Sequence, residues 1–206
     1  MGAVMENNNR SKASKRMMKL IATQLKEMSK TTPLRKITVN DIAEFCEINR
    51  STFYYHFIDK QDAINYVYHS EVTEPLRQLI CQGESDNLSL FSLQRMHESK
   101  DFYCQAFKIE GQNDLKSYIH SEVLENWRML SRMFVSQLAP NQNINMREIY
   151  YVSDYLASGA FSMMSTWVAD GMIDKPETIA RLLDIAAGGM LPAYSMLISN
   201  AGKPLD

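Results

Sequence analysis

With 206 residues, 45% of them hydrophobic and 22% charged, the chain can bury a sizeable core, which excludes general disorder. Its formal net charge of -2 hides an asymmetry: residues 1 to 60 hold 11 Lys/Arg against 6 Asp/Glu, and the remainder holds 11 against 18, so a basic unit suited to a polyanion precedes an acidic rest. The three scattered cysteines, Cys46, Cys81 and Cys104, form no Cys-x-x-Cys pair, no run approaches the roughly 18 apolar residues of a membrane span, and the amino-terminal residues lack a signal peptide's apolar centre; the composition therefore predicts a soluble cytoplasmic protein without disulfide framework, metal, cofactor or membrane partner.

Residues 1 to 10 are polar, and Ser11 to Lys30 follows as a helix with Met17, Met18, Ile21, Leu25 and Met28 at helical spacing. Lys12, Lys15, Arg16 and Lys19 stud its start, and Thr32-Pro33 ends it. Thr38 with Asp41 three residues on has the form of a capping box, so a second helix begins near Val39. Ile42 and Phe45 fall on one face of it, and Ile48 pins the following turn. Asn49 is the natural cap of a third helix, on which Phe53 and Phe57, four apart, are expected to pack on Ile42, Phe45 and Ile48. Arg50, Ser51, Thr52, Tyr54, Tyr55 and His56 are then left facing outward. A recognition helix sets its first turn against base edges, which gives Arg50, Ser51 and Thr52 the reading positions, with Arg50 able to grip guanine bidentately. Tyr54, Tyr55, His56 and Lys60 are expected on phosphates.

This stretch resembles the DNA-binding domain of the TetR family of bacterial transcriptional regulators. The family's helix-turn-helix ends in a Leu/Phe-Tyr-x-x-Phe-x-x-Lys run, matched by Phe53, Tyr54, Phe57 and Lys60. The resemblance implies phosphate contact by Thr38, Tyr54, Tyr55, His56 and Lys60, and base contact near Arg50 to Thr52. One departure is Glu47, at a turn position commonly glycine in the family; a side chain in a left-handed turn costs roughly 1 to 2 kcal/mol, so a reshaped turn is one expectation.

Beyond Asp59, itself a cap, a helix with Ile64, Tyr66, Val67 and Tyr68 leads to a kink or break at Pro75. Gly83 to Asn87 reads as loop, and helical patterns follow over 88 to 98, 101 to 109, 114 to 138, 145 to 170 and 176 to 199, with no competing strand pattern. Turn signals at Gly111-Gln112-Asn113, Pro140-Asn141 and Gly171 to Pro176 separate them. The last two patterns carry small residues, Ala157, Ser158, Gly159, Ala160 and Ser162 on one and Ala186, Ala187, Gly188 and Gly189 on the other. Mid-helix glycines cost about 1 kcal/mol each, which tight helix approach could offset. In the family the last two helices form a four-helix dimer interface, and a dimer is what a palindromic operator demands. The middle helices supply Phe102, Tyr103, Phe107, Trp127, Met163 and Trp167, able to line an apolar effector pocket or simply to fill a core. The Phe102-Tyr103-x-Gln105-Ala106-Phe107 run, the Gly111-Gln112-Asn113 turn and the Trp167-x-x-x-Gly171-Met172 end are similar to a TetR subgroup typified by regulators of dihydroxyacetone kinase operons.

The expected fold is all-α: a three-helix DNA-binding domain with helix-turn-helix over residues 11 to 70, and a helical ligand-binding and dimerisation domain over 71 to 206. The expected function is a homodimeric regulator, repression being the family's commoner mode, acting on a double-stranded operator and answering to a small-molecule effector or a partner. The alternative is a partner-binding activator or adaptor of the dihydroxyacetone kinase regulator type without a small-molecule pocket. An enzyme is disfavoured, because His56, His69, His97 and His120 fall in different segments with no motif around them.

Overall fold

The computed structural model describes residues 12 to 84, 86 to 140, 144 to 188 and 190 to 199, and among these every regular element is helical. In chain order they are α1 (Lys12–Ser29), α2 (Val39–Phe45), α3 (Arg50–His56), α4 (Lys60–Tyr68), a π-helical turn (His69–Thr73), α5 (Glu74–Cys81), α6 (Leu88–Glu98), α7 (Lys100–Ala106), α8 (Leu115–Leu138), α9 (Met146–Ala169), α10 (Pro176–Ala187) and α11 (Met190–Ser199). The polar residues 1 to 10 and Asn141 lie outside the described residues.

Local chemistry fixes most helix starts. The Thr38 side chain accepts from the Asp41 N–H at 3.2 Å while the Asp41 carboxylate accepts from the Thr38 N–H at 2.8 Å, completing the capping box. Asp59 and Asp114 accept from the N–H groups of Asp62 and Ser117, each at 2.8 Å, and so open α4 and α8. Asn49 stands at the cap of α3 but its side chain makes no capping bond; the Asn49 carbonyl receives the N–H groups of Thr52 and Phe53 instead.

At Pro75 the chain stays helical. A proline lacks its own N–H and its ring crowds the carbonyl four residues back, here that of Glu71. The helix absorbs this by widening into the π turn over His69–Thr73 just before the proline, which sits in the first turn of α5.

One apolar core runs through both halves of the molecule. It joins Ile21 and Leu25 of α1, Ile42, Phe53 and Phe57 of the helix-turn-helix, Ile64 and Val67 of α4, Leu93 and Met96 of α6, Ile119 of α8, Trp167 of α9 and Ile179 of α10. A satellite of Val135, Ile149 and Tyr194 holds α11 against α8 and α9. Beside it three buried hydroxyls meet: Ser131 Oγ lies 2.7 Å from Ser153 Oγ and 2.5 Å from Tyr194 OH, which is 2.8 Å from Ser153 Oγ.

Three expectations are corrected. Phe45 is 52% exposed, because the inward stripe of α2 runs from Ile42 and Ala43 to Cys46, four on from Ile42 and not three. The helix expected over 176 to 199 divides at Gly188, which closes α10 by donating its N–H to Asp184 O at 2.9 Å. Gly189 lies outside the described residues. Finally, the segment Pro176–Ser199 is long and apolar enough, by length and composition alone, to span a membrane, against the expectation that no run reaches that size. Little of it is buried: Leu182, Ile185 and Met196 face outward.

The turn between α2 and α3 keeps its left-handed geometry despite the side chain, with Glu47 at φ 55°. Its closing bond runs from Ile48 N to Ala43 O at 2.9 Å. Glycine removes the left-handed penalty of about 1 to 2 kcal/mol and loses part of that gain to chain entropy. Glu47→Gly is therefore expected to raise the free energy of unfolding in urea by about 0.5 to 1 kcal/mol, whereas a β-branched Glu47→Val lowers it.

Candidate nucleic-acid interface

The site is built on one anchored edge. Phe53 and Phe57 are buried at 0% and 2% exposure, their rings 5.6 Å apart, and Phe57 meets Tyr66 of α4 edge-on at 5.5 Å. This fixes the rotation of α3 and turns Arg50, Ser51, Tyr54 and Tyr55 to the solvent, with Thr52 half-buried beside them. Tyr55 is the most open of these aromatics at 79% exposure. Arg50 lies across the Tyr54 ring, its Cζ 5.4 Å from the centroid. Thr38 is exposed at the start of α2, its hydroxyl donating to Asp41 Oδ2 at 2.8 Å. That bond, and above all the one from the Thr38 backbone N–H, holds the Asp41 carboxyl below the usual carboxylate range.

Two predicted residues sit elsewhere than expected. His56 is buried at 8% exposure, with Nδ1 3.2 Å from Ser14 Oγ of α1. The inward stripe of α3 comprises positions 53, 56 and 57, so the histidine closes the helix against α1 and does not face outward. Lys60 turns its ammonium onto the loop that follows α1, donating to Leu34 O at 3.0 Å, Arg35 O at 3.3 Å and Ile37 O at 2.7 Å. An ammonium has three donors, and all three are taken. Burial lowers the Lys60 pKa from its ordinary value, and the nearby Asp41 charge opposes that shift. The Lys60 ammonium, expected on a phosphate, here clamps the segment that delivers Thr38.

Two further cations, Arg35 and Lys36, are exposed just before the capping Thr38. Their signal was adjacency, a basic pair leading directly into the start of α2. Lys12, Lys15, Arg16 and Lys19 are exposed along α1, Lys15 4.0 Å from Glu74.

Most of the residues expected to line an effector pocket are gathered in the buried core. Phe102, Tyr103, Phe107 and Trp167 are buried in the main cluster, Met163 packs on it, and Trp127 is half-buried outside both clusters. Trp167 donates its ring N–H to Asp174 O at 2.9 Å, and the Tyr103 hydroxyl donates to Glu71 at 3.4 Å. Two open clefts lie between α1 and the α6–α7 corner. One of about 290 Å³ is lined by Lys19, Lys26, Glu71 and Arg95, and one of about 500 Å³ by Lys26, Lys30, His97 and Asp101. Of the six predicted residues only Phe102 reaches either of them.

An all-helical chain with a helix-turn-helix near its amino terminus and a larger helical unit after it defines a class, that of helix-turn-helix regulators. The family model TetR_C_8, transcriptional regulator C-terminal region, matches residues 86 to 189, half of the chain. The chain belongs to the TetR family of transcriptional regulators. It is 23% identical over 119 residues to the HTH-type dhaKLM operon transcriptional activator DhaS of Lactococcus lactis subsp. lactis, an alignment covering 58% of this chain and 61% of that relative. Among solved structures it resembles the dihydroxyacetone kinase operon activator DhaS, with a TM-score of 0.60 at 19% identity over 88% of this chain and 97% of that one. It resembles Thermus thermophilus FadR, a TetR family repressor solved with lauroyl-CoA, with a TM-score of 0.57 at 17% identity over 92% of this chain and 100% of that one. For NalD of Pseudomonas aeruginosa, the secondary repressor of the MexAB-OprM multidrug efflux pump, the TM-score is 0.53 at 17% identity over 87% and 97%. At these identities the structural likeness establishes the fold.

The Lys60 geometry makes a measurable distinction. Lys60→Met removes three charge-assisted bonds to carbonyls and is expected to lower the free energy of unfolding in urea by about 1 to 3 kcal/mol. The salt dependence of DNA binding is expected to stay at the parent slope, where loss of a phosphate contact would reduce it by about one.

Proposed function

We propose that the protein is a cytoplasmic, sequence-specific DNA-binding regulator that acts as a homodimer on a palindromic operator. Residues 11 to 70 form the DNA-binding unit and 71 to 206 the regulatory and dimerising one. The observation that carries this reading is the two-sidedness of α3: Phe53 is wholly buried while its neighbours Tyr54 and Tyr55 are 46% and 79% exposed. A helix anchored along one edge and open along the other is what a major groove accepts. On this reading Arg50, Ser51 and Thr52 face bases, Thr38 and Tyr55, with Arg35 and Lys36, meet the backbone, and Tyr54 holds its hydroxyl against Arg50.

Dimerisation is supported by the outer face of the last helices. Tyr151, Tyr155, Ser158, Gly159 and Ser162 are exposed along α9, Leu182 and Ile185 along α10, and Met196 on α11. Space is open above Gly159, where an added Cβ would meet nothing within 4 Å. A second copy of the chain would cover this apolar surface and explain the composition of Pro176–Ser199 without a bilayer.

Occupancy of the operator represses, as the FadR and NalD names state for those proteins. A second reading is favoured by a specific observation: Phe102, Tyr103, Phe107 and Trp167 are all buried in the main core. A regulator of that kind would answer to a partner and not to a ligand in that core, and would activate, as the name of the DhaS relative states for that protein.

An electrophoretic mobility shift on duplex DNA from upstream of the gene, repeated at rising salt, tests the function. Affinity is expected to fall steeply, by about 10³-fold or more between 50 and 200 mM salt for six or more phosphate contacts. Affinity indifferent to salt rejects the reading. Sedimentation tests the assembly: Ile185→Asp is expected to shift the chain from dimer to monomer and to weaken operator binding, with helix content unchanged by circular dichroism. A parent chain that sediments as a monomer at every concentration rejects the dimer.

A further inference from the structure

We propose that Tyr54 is a positioning residue for Arg50, and that the pair, not the arginine alone, reads guanine; this rests on the DNA-binding reading above. The two side chains stand four apart on α3 and so share a face. The Arg50 guanidinium lies over the Tyr54 ring, with Cζ 5.4 Å from the centroid, and its Nη2 donates to the Tyr54 hydroxyl at 3.3 Å. The ring is itself fixed. It stands edge-on to Phe53 at 5.6 Å and 89°, and Phe53 is wholly buried against Phe57. A chain of contacts thus runs from the core to the tip of an exposed arginine.

An unsupported arginine on a surface samples many rotamers and loses that freedom when a base holds it. A guanidinium held over an aromatic ring has already lost part of it, so less is lost on binding. One N–H is spent on the tyrosine hydroxyl, leaving four of the five for a bidentate grip on guanine N7 and O6. The benefit arises only where those two acceptors meet the fork. Tyr54 should therefore change discrimination at one base position more than overall affinity, which depends on phosphates.

The test is selection from a synthetic duplex library of randomised sequence by the full chain, reading the enrichment of guanine over other bases at each position. Arg50→Ala is expected to abolish the preference at one position. Tyr54→Leu is expected to reduce the same preference by about 3- to 10-fold, and Tyr54→Phe, which keeps the ring, to retain most of it. In the Arg50→Ala background Tyr54→Leu is expected to leave the residual pattern unchanged. Both positions are on the surface, and circular dichroism of each variant checks the fold. If Tyr54→Leu weakens all sequences alike, and does so equally without Arg50, the tyrosine acts on its own and the proposal is overturned. If the parent enriches a sequence whose guanines are indifferent to Arg50→Ala, the pairing is overturned while DNA binding stands. If the parent enriches nothing and binds without salt dependence, the DNA-binding reading falls and the proposal with it.

Discussion

The structure depends on the burial of two aromatic rings. Phe53 and Phe57 fasten a helix of seven residues to α1 and α4. So short a helix has little stability of its own and takes its form from tertiary packing. Because the same rings set its rotation, they also decide which side chains face outward. Arg50, Ser51, Tyr54 and Tyr55 are exposed as a consequence of what Phe53, His56 and Phe57 bury. Placement of the proposed recognition surface is in this sense a by-product of core formation, and a change in either phenylalanine would move these exposed residues together.

The helix-turn-helix is tied just as closely to the second half of the chain. Gln105 of α7 donates to Ser29 O at 2.9 Å and accepts from Leu34 N at 2.8 Å, satisfying backbone groups at the end of α1 and in the loop after it. The Leu34 carbonyl is one of the three held by Lys60. The short segment that delivers Thr38 is thus gripped from α7 by an amide and from α4 by an ammonium. Lys26 of α1 adds an ion pair with Glu71 of the π turn and a bond to Ser99 Oγ at 3.0 Å. With a core continuous from Met18 to Ala180, a displacement of α6 or α7 has few ways to leave α1 and the start of α2 where they are.

What the sequence disclosed and what it concealed divide by range. The capping box at Thr38, the cap at Asp59 and the stop at Pro33 depend on neighbours within a few residues and are legible, whereas the kink or break expected at Pro75 is a π turn within continuing helix. The burial of Phe53 and Phe57 followed from spacing. His56 and Lys60 could not be placed in this way, because their partners lie 42 residues away in Ser14 and between 23 and 26 away in the Leu34 to Ile37 loop. A family motif specifies residue types at offsets, and its lysine here bonds to the protein itself, as does His56 at one of its open positions. Phe45 shows the limit of periodicity in a seven-residue helix, where the choice between a partner three or four positions on reverses inside and outside. The aromatic inventory of α7 and α9 was legible as apolar, but whether such residues line a cavity or fill it depends on what opposes them, which composition does not encode.

Glu47 shows how local and global demands are reconciled. The turn between α2 and α3 needs a left-handed residue so that Phe53 can reach Ile42, and the chain supplies a glutamate at φ 55°. The strain is local, on the order of 1 to 2 kcal/mol, while correct register buries Ile42, Phe53 and Phe57 together. Burying a single such side chain is worth about 1.5 to 3 kcal/mol, so three outweigh the turn severalfold. A reshaped turn would relieve Glu47 only by rotating α3 and withdrawing those rings. The left-handed glutamate persists because the core on either side of it leaves no cheaper conformation.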